Sequence, residues 1–244
     1  MAFNTQFDWR RFDRRIFAAA AILFPVIVLI GFGRTYYVRF AFDAPPVPGK
    51  LVHLHGLVMS AWVLLFCAQV LLIRTKNHRV HMRLGFVGLA LAIAIVIVGF
   101  FTAVAGAKFT SPSTPPGVEP LRFLAVPLFD MVTFSILFAA AFISRTRPAD
   151  HKRLILLTII SLLPPAIARF PFEPFISGGP PIFFGVPSLT ILSLVAFDTW
   201  KTRKLNKVFL ASALLLILSY PLRLAISATD TWMTFATWLT TRAA

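Results

Sequence analysis

The sequence has a single cysteine and few charged side chains. Cys67 lies inside an apolar run, so the chain has neither a disulfide framework nor the C-x-x-C motif that attaches a c-type haem. Charged residues make up 14% of the chain, and no stretch is long or polar enough to form a separate soluble domain. Motifs for nucleotides, for phosphate groups and for nucleophilic triads are missing as well. These absences exclude the common soluble enzyme classes.

Long apolar runs dominate what is present. Hydrophobic residues make up 58% of the chain, with 26 phenylalanines, and the mean hydropathy is +0.81. Such values are typical of integral membrane proteins. The sequence predicts an all-α bundle of seven transmembrane helices in one domain, residues 16–228, between a basic arm, residues 1–15, and a short tail, residues 229–244. The seven segments are residues 16–33, 51–73, 84–107, 121–144, 154–170, 182–200 and 208–228.

Positive charge is concentrated on one side of this predicted bundle. The formal net charge is +15, and the bases lie in short loops, where they contact anionic lipid head groups rather than nucleic acid. With seven spans, sixteen of the 24 lysines and arginines share one side, which the positive-inside rule makes cytoplasmic. We therefore expect a multi-pass protein of a bacterial inner membrane, with its N-terminus inside and its C-terminus outside. The sixteen are Arg10, Arg11, Arg14, Arg15, Arg74, Lys76, Arg79, Arg83, Arg145, Arg147, Lys152, Arg153, Lys201, Arg203, Lys204 and Lys207.

A weak repeat links the inner loops. An R-T dipeptide is followed by H-M-R-L in residues 74–84 and by H-K-R-L in residues 145–154, while the last inner loop has Asn206 near the place of the histidine. The pattern indicates that helices two to seven are three hairpins of one kind. Bases that face lipid phosphates would account for much of the same pattern.

A polar stripe runs along the second predicted helix. His55, Met59, Trp62, Phe66 and Gln69 are spaced by three or four residues, which places them on one face of a helix. A glutamine within lipid is costly unless it finds a partner. The stripe is therefore expected to face the interior of the bundle.

A first candidate site gathers polar residues in the outer half of the bundle. Asp130 lies well inside its span and requires a partner there, which we expect to be Arg223 or Arg169. Two interpretations remain open: an outward-facing pocket for an anionic or quinone-like head group, or a structural salt bridge that ties helices together. The predicted members are His53, His55, Asp130, Arg169, Glu173 and Arg223.

A second candidate site lies at the inner helix ends, where His78, His81, His151 and Asp198 are grouped. His81 and His151 are candidate ligands of haem b from opposite faces, and together with Asp198 they are candidate ligands of a metal ion. The arginines around them would pair with haem propionates or with lipid. A zinc hydrolase is disfavoured because it needs three protein ligands and an open position for water.

The motifs resemble those of a widespread group of uncharacterised bacterial seven-helix membrane proteins. The similarity runs from about Leu51 to Leu205 and departs from the group at Asn206. More distantly, histidines at helix ends are similar to those of b-type transmembrane cytochromes and haem A synthases, a resemblance of architecture alone. The matching positions are His53, His55, Gly56, Trp62, Gln69, His81, Gly85, Asp130, His151, Arg153, Pro165 and Arg169.

Three functions are compatible with these features. The uneven placement of the histidines favours a haem- or metal-linked redox protein that transfers electrons, with a quinone-like molecule among its possible partners. The alternatives are a small-molecule transporter or receptor and a non-catalytic accessory subunit that binds other membrane subunits. The sequence leaves any enzymatic activity undecided.

Overall fold

The computed structural model describes residues 9–108 and 117–242. All regular secondary structure within them is helical, and the ten α-helices are α1 (Trp9–Phe32), α2 (Gly49–Arg74), α3 (His78–Lys108), α4 (Pro120–Phe123), α5 (Ala125–Ile143), α6 (Pro148–Ser161), α7 (Pro164–Ile167), α8 (Gly179–Thr202), α9 (Lys207–Ser227) and α10 (Asp230–Arg242). We call the end of the bundle where α3 and α9 terminate the outer end, and the opposite end the inner end.

Six helical segments in the described residues are long and apolar enough to cross a membrane. They are Arg15–Tyr37, Gly49–Arg74, His78–Lys108, Pro120–Thr146, Gly179–Thr202 and Lys207–Ser227. Their flanks carry many exposed leucines, isoleucines and phenylalanines, as expected for surfaces that meet acyl chains. The prediction of an all-α, multi-pass membrane bundle is thus confirmed.

The fifth predicted segment, residues 154–170, differs from the other six. Its main helix, α6, has only 14 residues, and the short helix α7 follows after a break at Leu162 and Leu163. The break comes directly before Pro164 and Pro165, which have no backbone N–H to donate to the preceding turn. On its own, α6 is too short to span a bilayer.

The interior of the bundle is built around α6. Its residues 156–161 are all buried, because α6 packs against α5, α8 and α9. Helix α2 lies along α3. The enclosure of α6 on several sides is what a helix at the centre of a bundle requires. The break between α6 and α7 is therefore largely surrounded by protein.

Two glycines permit close approaches at the outer half. A Cβ atom at Gly31 would overlap the backbone carbonyl of Ala166, so α1 can lie directly against α7 only with glycine there. A Cβ atom at Gly56 would overlap the hydroxyl end of the Tyr36 ring, which would have to move aside. The glycine of the H-L-H-G motif thus makes room for the Tyr36 ring in its present position.

The two ends of the chain extend the predicted helices. Of the basic arm, residues 9–15 belong to α1, and residues 1–8 lie outside the described part of the chain. Residues 230–242, which the sequence indicates only as part of a tail, form α10. Trp232 of α10 is buried, and its indole Nε1 donates a hydrogen bond to the Leu121 carbonyl at 2.9 Å. Arg122 also donates to the Ser227 carbonyl at 3.0 Å, which joins α4 to the end of α9.

Candidate functional site

Asp130 and Arg223 form a buried ion pair between α5 and α9. Nη1 of Arg223 donates to Oδ1 of Asp130, and the Arg223 side chain is 0% exposed. Of the two partners that the sequence predicts for Asp130, the structure selects Arg223. The pair connects the fourth and the seventh predicted spans.

The remaining donors of Arg223 are bound to the protein. Nε donates to the Ser219 carbonyl at 3.1 Å, and Nη2 donates to Oγ of Ser219 at 2.9 Å. The guanidinium also lies 5.1, 5.4 and 5.8 Å from the ring centres of Tyr220, Phe184 and Phe129, within cation–π range. A guanidinium with this many protein contacts has little left for a ligand. The geometry therefore favours the structural salt bridge over an anion-binding pocket.

The hydroxyl of Tyr220 is the unexpected polar group beside this pair. Tyr220 is 2% exposed, and its ring stacks on Phe184 with centres 4.6 Å apart. The hydroxyl has no hydrogen-bond partner among the residues that the structure describes. A buried hydroxyl without a partner carries a desolvation cost. The spacing of Tyr220 three residues before Arg223 was the available sequence signal, since such residues share a helix face.

The other predicted members of the outer pocket are held by separate contacts. Arg169 donates to the Pro165 carbonyl at 2.6 Å and lies 4.9 Å from the Phe32 ring centre. Arg169 thus joins the chain after α7 to the end of α1, and His55 is partly buried in the second turn of α2.

His53 and Glu173 are exposed at the surface. The His53 ring tilts against the Tyr36 ring at 5.9 Å, and Tyr36 donates to the His53 carbonyl at 3.3 Å. Glu173 accepts a hydrogen bond of 2.6 Å from Ser177. The six residues of the predicted pocket therefore form several local contacts rather than one ring of ligands.

The polar stripe of α2 faces the interior. Trp62 and Phe66 are buried, and Met59 packs against the core. The Trp62 indole meets the rings of Phe134 and Phe138 edge-on, at 5.3 and 5.5 Å. Its Nε1 atom lacks a hydrogen-bond partner within the described residues. This interior surface of α2 thus contains unsatisfied polar atoms as well as aromatic packing.

His81 and His151 both lie at the inner end, in the first turns of α3 and α6. Both helices pack against α5. Nδ1 of His151 lies 2.8 Å from the Ala141 carbonyl, an atom that can only accept, so Nδ1 must carry the proton. In the neutral imidazole, Nε2 of His151 is then the nitrogen that has the free lone pair.

Gln69 connects the polar stripe to His81. Its Nε2 atom donates to the His81 carbonyl at 3.3 Å. Two further polar atoms, Oε1 of Gln69 and Nδ1 of His81, are buried and have no partner in the described part of the chain. The stripe thus begins at His55 in the outer half and ends at Gln69, which contacts His81 at the inner end.

Asp198 is bound to Arg153, whereas the sequence groups it with the two histidines as a metal ligand. Arg153 of α6 grips both carboxylate oxygens, with Nε–Oδ2 at 3.0 Å and Nη2–Oδ1 at 2.6 Å. Residues 151 and 153 point in roughly opposite directions on a helix, so His151 faces α5 while Arg153 faces α8. No group of three or more His, Cys, Asp or Glu side chains that would hold a metal ion occurs in the described residues. The pairing of Arg153 with Asp198 does not follow from the sequence patterns, which indicate Arg153 as a base of an inner loop and Asp198 as a candidate metal ligand.

Asn206 has a structural role at the position where the resemblance leads one to expect histidine. Its Oδ1 atom accepts from the backbone N–H of Phe209 at 2.8 Å and so caps α9. Its amide donates to Oδ1 of Asp150 at 2.8 Å. The residue links the inner ends of α6 and α9.

Comparisons with models of protein families, with curated proteins and with solved structures found no match to this chain. The resemblance to the bacterial seven-helix group stays a prediction.

Proposed function

We propose that this chain is a seven-span protein of a bacterial inner membrane that holds haem b, or a single metal ion, between His81 and His151 and takes part in electron transfer. The observation that carries the proposal is the orientation of His151 by the Ala141 carbonyl. Histidines that bind metals usually donate their other ring N–H to a carbonyl or a carboxylate. The same arrangement leaves Nε2 of His151 available as a ligand.

His81 supports the proposal from another helix. It lies in the first turn of α3 and His151 in the first turn of α6, and both helices pack against α5. The two axial ligands of the haem would therefore come from two different helices. Gly85 follows His81 by one turn, and the space that its side chain would fill is open. Haem b held in this way supplies one-electron transfer, while the protein sets the orientation of the imidazoles and the polarity around them.

The seven-span topology rests on α6 and α7 taken together. Residues 148–167 cover roughly 30 Å at about 1.5 Å per residue, which is about the thickness of the hydrocarbon core of a bilayer. Broken helices are tolerated in membranes where protein surrounds the break, and α6 is buried on several sides. With this span included, the basic loops lie on the cytoplasmic side, near anionic head groups.

Absorption spectroscopy of the detergent-purified protein, combined with metal analysis, tests the cofactor. After expression with added haem precursor, we expect a Soret band and a change on reduction by dithionite. His81→Ala and His151→Ala should each abolish the band, because each removes one axial ligand. His78→Ala is the matched control, since His78 is exposed and lies in the same turn of α3 as His81; it should keep the band.

Two results would overturn the proposal. One is a folded, monodisperse protein with neither haem nor stoichiometric metal. The other is an equal loss of the band in the His78→Ala control. Stable co-purification of other membrane proteins with a cofactor-free chain would instead support the accessory subunit. Saturable uptake or binding of a small molecule by that chain would support the transporter or receptor.

A further inference from the structure

Helix α10 has one buried face and a mixed exposed face. Trp232, Ala236 and Thr240 follow one another at intervals of four residues and are buried against the bundle. Phe235 and Trp238, which are 42% and 54% exposed, lie on one side of the exposed face, together with the exposed residues Thr231 and Arg242. The other side carries the exposed threonines Thr234, Thr237 and Thr241.

The packing of α10 is confined to a thin layer at the outer end. Its cluster includes Ala103 and Ala107 of α3, together with Leu124 and Leu128 at the start of α5. On α3 these contacts cover roughly 6 Å of helix rise, whereas the 13 residues of α10 extend for roughly 20 Å. A helix that ran alongside α3 would contact a longer stretch of it. Helix α10 therefore crosses the outer end of the bundle.

We propose that α10 is an interfacial helix that binds the phospholipid surface at the outer end of the bundle. Phe235 and Trp238 insert among the lipid head groups and upper acyl chains, and the threonine row faces water. The proposal depends on the membrane embedding of the spans and is independent of any cofactor. It also says what covers the exposed aromatic residues of α10. Lipid covers them, as it covers the adjacent spans at the same end of the bundle.

The position of the exposed aromatic residues is the physical argument for this occupant. Aromatic side chains concentrate at the boundary between head groups and acyl chains, and amphipathic helices lie in that boundary. A helix surrounded by water would have no reason to expose Phe235 and Trp238 together on one side. The chain also leaves only Ala228 and Thr229 between α9 and α10, so α10 begins at the membrane surface.

Spin-label accessibility in phospholipid nanodiscs tests the proposal. In a Cys67→Ser background, nitroxides are attached at Phe235→Cys and, as the matched position on the other flank, at Thr237→Cys. The two sites are two residues apart and so lie at similar points along the helix. We expect the ratio of collision rates with oxygen to those with a water-soluble nickel complex to be several-fold higher at position 235 than at position 237.

If Phe235→Cys fails to fold, Trp238→Cys is compared with Thr237→Cys, and if Thr237→Cys fails, Thr241→Cys is compared with Phe235→Cys; each pair lies about 100° or more apart around the helix. Equal and nickel-dominated collision rates on both flanks would overturn the proposal, because the helix would then lie in water. Equal and oxygen-dominated rates would overturn it as well, since α10 would be immersed in the hydrocarbon. Protection of position 235 from both reagents would show that protein, in a second copy of the chain, covers the aromatic flank instead of lipid.

Discussion

Two interhelical arginine–aspartate pairs within residues 9–108 and 117–242 lie in different surroundings. At the inner end, Arg153 and Asp198 meet as a two-pronged fork, and their side chains keep 12% and 19% of their exposure. In the outer half, the Arg223 side chain is fully buried and meets Asp130, which is 13% exposed, through Nη1, with aromatic rings around the guanidinium. Arg153 and Asp198 both keep access to solvent when their pair is broken, whereas Arg223 does not.

This difference determines what each pair contributes. Burial of a charge is costly, so a buried pair adds little net stability, yet loss of one partner is very costly. An ion pair that retains access to water behaves more like an ordinary charge-assisted hydrogen bond. We therefore expect the two pairs to respond very differently to the same kind of substitution.

The largest expected effect is that of Asp130→Leu. It leaves a buried guanidinium that cannot lose its proton, and we expect a loss of about 3–5 kcal/mol in the free energy of unfolding, measured by SDS titration in mixed micelles. Arg223→Met should cost less, because a lone Asp130 can become neutral by binding a proton. If both single variants cost equally little, the outer pair is hydrated and the contrast with the inner pair fails.

The double variant Asp130→Leu/Arg223→Met provides the control. Since it removes both charges together, we expect it to be more stable than Asp130→Leu. An additive loss in the double variant would show that the cost comes from disturbed packing rather than from the unpaired charge.

A smaller effect is expected at the inner pair. Asp198→Ala removes the carboxylate from Arg153, and we expect a loss of roughly 1.5–3 kcal/mol by the same titration, because Arg153 can then turn toward water. A loss as large as that of Asp130→Leu would show that the inner pair is sealed from solvent. Arg145→Ala, at an exposed base of the adjacent loop, should change the stability very little.

The smallest effect, with the opposite sign, is expected for Tyr220→Phe. The substitution removes a buried hydroxyl that has no partner among the described residues and keeps the ring stacked on Phe184. We expect a gain of up to about 1 kcal/mol in the free energy of unfolding. A clear loss would indicate that water or a bound molecule satisfies the hydroxyl.

Several features of the fold and the site were predictable from local sequence patterns. The interior orientation of Trp62 follows from helical periodicity, and the need of Asp130 for a cationic partner follows from its depth in an apolar run. The role of Gly56 was not predictable, because it depends on a tyrosine twenty residues earlier that packs across it. The pairing of Asp198 with Arg153 was not predicted, because it depends on the rotation of α6, which turns His151 and Arg153 toward different neighbours.

The sequence by itself determined that this chain lies in a membrane as a bundle of apolar helices. Hydropathy and helical periodicity are local properties that add up along each segment, so they need no knowledge of neighbouring helices. Only the tertiary structure decided which polar groups meet: Arg223 with Asp130, Arg153 with Asp198, and His151 with the Ala141 carbonyl. These contacts depend on the rotation and depth of helices that are far apart in the chain. They also depend on the break before Pro164, because the packing around α6 decides where the chain on either side of the break lies in the bundle.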